Sequence, residues 1–203
     1  MIKRYIFTRI LGEMFEQNIK PNTPAAREFF EARTKTMKKT NPAELIERVK
    51  SRKYQQGSSG IGDMFIFQYD PKYKDKPSIL PYYDRFPVII MFDTGLTGFM
   101  GLNFHYLPYA DRALFLERLR LFSDGTSIDE EYKLTDIDYS NIKHATGTVK
   151  YWRPCIKRYL NNNVTGRLIK VHPAEWDLIL MLPIERFVRA RRPRVFRESQ
   201  AKY

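Results

Sequence analysis

Cysteine is almost missing: Cys155 stands alone in 203 residues, so no intramolecular disulfide and no cysteine zinc site can form. Histidine is nearly as scarce. His105, His144 and His172 are scattered, with no i, i+4 helical pair among them and no Asp/Glu cluster at ligand spacing. The expected metal and cofactor complement is therefore none. No apolar run approaches the roughly 20 residues that cross a bilayer. The opening Met1-Ile-Lys-Arg-Tyr-Ile-Phe7 lacks a signal peptide's long apolar stretch and small-residue cleavage site. These gaps exclude a disulfide scaffold and a membrane-spanning helix, and the chain is expected to be made and to work in a reducing compartment.

Catalytic patterns are missing too. Gly57-Ser-Ser-Gly-Ile-Gly62 resembles a phosphate loop but precedes a strand, where such a loop should link strand to helix. Cys155 has Arg153, Lys157 and Arg158 nearby, charges that lower the pKa of an exposed thiol. On a helix it would share a face with Tyr151, Trp152 and Tyr159, which points it inward instead. His105 lies in the stretch Asn103-Phe-His-Tyr106, where strand alternation places it opposite Phe104 and Tyr106, in a surface or cross-strand role. Asp70 with Asp84, or Asp93 with Asp63, could assemble a nuclease-like site. The Asp…Glu-x-Lys pattern of many nucleases is absent, and Asp70 and Asp93 read as turn residues. No catalytic constellation emerges, and the chain reads as a binding protein that is not an enzyme.

What the chain has in excess is positive charge, net +12, with 43% hydrophobic and 14% aromatic residues to build a core. The charge is uneven. Residues 1–60 hold 13 Lys/Arg against 6 Asp/Glu, residues 61–140 hold 8 against 13, and residues 141–203 hold 14 against 4. Basic ends flank an acidic middle. Such a surface concentrates polyanions, and nucleic acid bound through phosphates is held in a salt-dependent way. Solubility alone is the plainer reading of the same charge.

Periodicity divides the chain. Residues 1–56 read as a helical N-terminal extension. Ile2, Ile6, Phe7, Ile10, Leu11, Met14 and Phe15 form a wide apolar stripe. Thr23-Pro24 starts a second helix, and Asn41-Pro42 a third carrying Leu45, Ile46 and Val49. Residues 57–62 form a Gly/Ser linker. Residues 63–185 read as a β-rich core with helical insertions. Its strands are Met64–Tyr69, Phe86–Phe92, Phe99–Tyr106, Arg167–Val171 and Trp176–Leu182. A helix from Arg112 to Phe122 is capped by Asp111, an acidic loop covers 129–138, and another helix covers 149–160. Residues 186–203 read as a basic C-terminal tail. The expected fold class is α+β: a small, partly open β-barrel of SH3 type with inserted helices.

The candidate nucleic-acid surface is basic and interleaved with aromatics. Lys150, Arg153 and Lys157 share one side of the expected helix, with Arg158 beside them and Trp152 available to stack on bases. Arg167 and Lys170 follow on the next strand, then Arg186, Arg189, Arg191, Arg192, Arg194 and Arg197 in the tail. Arg and Lys meet phosphate oxygens without reading sequence. In the alternative, Tyr151 and Trp152 are core, and the arginines solvate a surface or dock on an acidic protein.

Five segments are distinctive as text: Phe67-Gln-Tyr-Asp-Pro-Lys72, Leu80-Pro-Tyr-Tyr-Asp-Arg-Phe-Pro87, Gly98-Phe-Met-Gly-Leu-Asn-Phe-His-Tyr-Leu-Pro108, Arg153-Pro-Cys-Ile-Lys-Arg-Tyr-Leu160 and Glu175-Trp-Asp-Leu178. They resemble the DNA end protector family, minor virion proteins of large tailed bacteriophages (myoviruses) of the T-even kind, over roughly residues 62–197. The resemblance implies a virion protein at the ends of packaged linear double-stranded DNA, near the head–tail neck, shielding them from host exonuclease. It implies DNA and other virion proteins as partners, no small-molecule substrate, and residence in the host cytoplasm during assembly. The competing reading is a structural protein of the neck, baseplate or tail that binds acidic protein surfaces.

Overall fold

A computed structural model describes residues 6–20, 23–35, 60–123, 150–171 and 175–201. The expected third helix near Asn41-Pro42, the first half of the Gly/Ser linker, the acidic loop, His144 and His172 lie outside these residues.

Two amphipathic helices come first. In α1, Ile6–Glu16, Ile10 and Met14 are buried one turn apart. Asn18, at φ 55°, ends it in the left-handed region that helix C-termini favour. The expected start of α2, Pro24–Lys35, is present: the Ala26 N–H donates to Thr23 Oγ1 at 3.2 Å. Ala26 and Phe30 are its buried face, and its Arg33 pairs with Glu13 of α1.

The strands β1 (Met64–Ile66), β3 (Val88–Gly95), β4 (Gly98–Asn103), β5 (Ile156–Leu160) and β6 (Ile169–Lys170) form one antiparallel sheet in the order β5-β4-β3-β1-β6. Its edges, β5 and β6, do not pair with each other, so the sheet stays open. Strands β2 (Tyr83–Asp84) and β7 (Phe187–Val188) pair separately. The architecture is thus mixed helix and open sheet.

Alternation gives the sheet two different faces. Met64, Ile66, Val88, Ile90, Phe92 and Leu102 point into the main core. Covering them are α1, α2, α3 (Tyr109–Ser123) and α4 (Trp176–Met181), with Phe115, Leu116, Trp176 and Leu180 buried there. Ile89, Met91, Phe99 and Tyr159 point the other way and join Phe67 and Tyr69 in a smaller cluster. Phe67 packs edge-on against Tyr159 (5.2 Å) and Phe99 (5.6 Å). Such pairs each add ~0.5–1.5 kcal/mol beyond burial.

Four readings are corrected. Trp176–Leu182 is not a strand but the helix α4. Its buried residues Trp176, Ile179 and Leu180 fall at i, i+3, i+4, a spacing that an all-apolar run disguises. Residues 150–160 are not an α-helix. A 3-10 turn, Lys150–Cys155, contains Pro154 and yields to β5, whose register against β4 runs from Leu102↔Ile156 to Gly98↔Leu160. The third strand stops at Asn103, where the Asn103 side chain caps a 3-10 turn, Phe104–Tyr106. His105 sits in that turn, wholly buried and not on a surface.

The stretch from 186 onward carries secondary structure to Ala201. After β7 comes α5, Arg192–Ala201, with Val195 and Ser199 buried against the 3-10 turns at 104–106 and 150–155. A buried ionic cluster anchors it. Glu185 Oε1 lies 3.0 Å from Arg192 and 3.5 Å from Arg112, and the Tyr109 hydroxyl donates to it. Arg112, fully buried, also donates to the carbonyls of Leu107 and Leu180 at 2.8 and 2.9 Å. Each charged group of the cluster thus meets an opposite charge through Glu185 Oε1, while Glu185 Oε2 is buried without a hydrogen-bond partner.

Candidate nucleic-acid interface

The helix-free side of the sheet holds a concave site. On β5, Lys157 and Tyr159 lie opposite Gly101 and Phe99 of β4 and so face this side. Close approach is required here. A Cβ on Gly98 would strike the Tyr159 carbonyl oxygen, and one on Gly101 would strike the Ile89 side chain. Only glycine lets β4 lie this near its neighbours.

A cavity of about 350 Å³ opens between β5, the end of β4, β2 and the loop 71–80. Asp84, Asn103, Tyr106 and Tyr159 make its floor. Tyr69, Tyr83, Tyr73 and Leu80 wall it, and Lys72, Lys157 and Arg158 stand around it. The Lys157 ammonium lies 4.0 Å from the Tyr106 ring centroid, and Lys72 sits over Tyr73 at 5.6 Å, both within cation–π range.

The floor is a buried hydrogen-bond network in which His105 Nε2 is left without a partner. Asn103 Nδ2 donates to Asp84 Oδ2 (3.3 Å) and to the Tyr159 hydroxyl (3.1 Å), while its Oδ1 accepts from the His105 N–H. His105 Nδ1 lies 2.6 Å from Asp84 Oδ2. Asp84 Oδ1 accepts from the backbone N–H of Phe86 and of Arg186. Burial pushes the hydroxyls of Tyr106 and Tyr159 well above the ordinary phenol range, so both stay neutral. The loop 71–80 is pinned from behind. Arg189, held at φ 67°, donates to the carbonyl of Lys74 and, at 2.8 Å, to that of Leu80.

The thirteen residues singled out in the sequence do not form one cationic face. Lys157 and Arg158 reach the cavity, and Arg158 donates to Thr97 Oγ1. The backbones of Lys150 and Trp152 lie in the 3-10 turn, and Arg153 there is exposed. Lys170 pairs with Asp63 at 2.8 Å, Arg192 with Glu185, and Arg194 with Glu198 at 2.7 Å. Arg186 donates to the carbonyls of Pro183 and Glu185, and Arg189 holds the loop. Arg167, Arg191 and Arg197 are exposed, with no hydrogen-bond or ionic partner for their side chains among the described residues.

Catalytic chemistry finds little footing. Burial pushes the Cys155 thiol far up, leaving it unreactive. Asp84 is committed to His105 and Asn103, and Asp70 to Lys74. Among the described residues, no group of three His, Cys, Asp or Glu side chains could hold a metal ion, and no helix is long and apolar enough to cross a membrane.

A family model described as the Phage T4 terminal DNA protecting protein matches residues 15–200. The chain belongs to that family. No curated relative and no solved structure matches it. The matched span takes in the cavity, the cations around it and nearly all of the anchored helix α5. The sequence reading missed Lys72, Tyr73 and Tyr83 as site residues. Their signal was the interleaving of tyrosine and lysine from Tyr69 to Tyr83, a pattern that gained meaning only when β5 arrived beside it.

Proposed function

We propose that this chain binds the ends of packaged linear double-stranded DNA and shields them from host exonuclease without cutting the DNA. In this reading it travels in the virion, near the head–tail neck and beside other virion proteins, and is present in the host cytoplasm during assembly. The family match across residues 15–200 carries the proposal. The cavity, with three cations against one carboxyl group, and the exposed Arg167, Arg191 and Arg197 support it. These side chains can meet phosphates through charge, a contact that does not depend on sequence.

The test is an exonuclease digestion of linear duplex with and without the purified full chain, beside a binding titration across salt. Protection of linear ends is expected, with affinity falling about a hundredfold or more from about 50 to about 200 mM salt. Unchanged digestion, or a flat salt response, would overturn the proposal.

A further inference from the structure

Resting on that reading, we infer that the cavity takes one unstacked terminal nucleotide of the DNA, and that this is how a protein blind to sequence recognises an end. Three observations converge on this occupant. The volume of about 350 Å³ sits at the low end of the roughly 300–1,000 Å³ typical of small-ligand sites. It admits a single base and its sugar, and no duplex. The walls offer Tyr73, 41% exposed, and the half-buried Tyr83 as stacking surfaces, and aromatic stacking accepts any base. Around the cavity, Lys72, Lys157 and Arg158 supply positive charge for the attached phosphate.

The floor explains why the base is not read. The amide of Asn103 and both carboxyl oxygens of Asp84 already have partners within the protein. No side-chain amide or carboxyl there is left to match a base edge, so Asn103 and Asp84 do not discriminate between bases. End selection comes from the DNA. Extruding a base costs a few kcal/mol within a duplex and least where the base is already unpaired. A strand terminus has a stacking neighbour on one side only, so it yields a nucleotide to the cavity more readily than the duplex interior does.

The experiment uses the full chain and linear duplexes with a fluorescent purine analogue on the terminal nucleotide of one strand, of the other strand, or in mid-duplex. A fluorescence change at a terminal probe, with the mid-duplex probe silent, is expected, and the responding strand identifies which terminus enters. Tyr73→Ala, in an exposed loop, should abolish the change and weaken binding to linear duplex about tenfold, with binding to closed-circular DNA unchanged. Arg158→Glu, at an exposed strand position, should act in the same direction. Silent terminal probes, or wild-type end binding by both variants, alongside intact exonuclease protection would overturn the cavity assignment and leave end protection standing. Failure of the wild-type chain to bind or protect linear DNA would remove both.

Discussion

Glu185 shows how much one side chain can hold. Burial alone would raise its carboxyl pKa, but the guanidinium groups of Arg112 and Arg192 outweigh that and hold it at about 2. A carboxyl group of the unfolded chain titrates near about 4.3, so the native state stabilises the charged form. That contribution, about 3 kcal/mol, is fully present above about pH 4.3 and is lost as pH falls toward 2. Urea midpoints measured from neutral pH to pH 2.5 should drop for the wild type and drop less for Glu185→Gln. Parallel curves would show that Glu185 is not the linked group. At neutral pH, Glu185→Ala should cost about 3–5 kcal/mol, because Arg112 is left buried without its counter-charge.

Elements repeat the lesson with backbone. Replacing Gly98 by alanine forces a methyl group onto the Tyr159 carbonyl, and peptide backbone in a paired strand cannot step aside. Gly98→Ala should separate β4 from β5 and lower stability by several kcal/mol, on the order of the larger core substitutions, whereas Gly12→Ala meets nothing within 4 Å. Thermal melts of the two variants make the comparison. Arg189→Ala should release the loop 71–80 from its two carbonyl anchors, read as faster amide exchange in that loop with the sheet unaffected.

Legibility in the sequence kept to the same boundary. The Thr23-Pro24 start was readable, and so was the helix around 112–122, because each rests on neighbours a few residues apart, although that helix starts at Tyr109 and Asp111 lies in its first turn instead of capping it. The strand identity of Lys157 and Arg158 was not, since Pro154 permits a short turn and only pairing with β4 makes the residues beyond it extended. Nor was the fate of the arginines. Whether Arg194 faces a phosphate or Glu198, and Arg192 a phosphate or Glu185, depends on contacts that no charge count reveals. His105 was misplaced because a side chain bonded to Asp84, 21 positions upstream, leaves no trace in local alternation.

For the whole molecule, the formal charge of +12 overstates what a polyanion meets. Several cations serve the fold: Arg112 and Arg192 clamp α5, Lys170 ties β6 to Asp63, and Arg189 braces a loop. The cations left facing outward should therefore dominate salt dependence. Replacing Arg167, Arg191 and Arg197 together by alanine should reduce the slope of log affinity against log salt by about one per phosphate no longer neutralised, with little change in melting temperature. Replacing Arg192 should do the reverse, lowering stability while leaving the slope nearly intact. A triple alanine variant that lowered the melting temperature as much as the Arg192 replacement does would contradict this division of labour.

Tyr83 pairs with Val188 and Asp84 with Phe187, although the greater part of the core lies between them in the chain. A polypeptide still growing on the ribosome therefore has one wall of the cavity without its neighbouring strand until Val188 has left the exit tunnel.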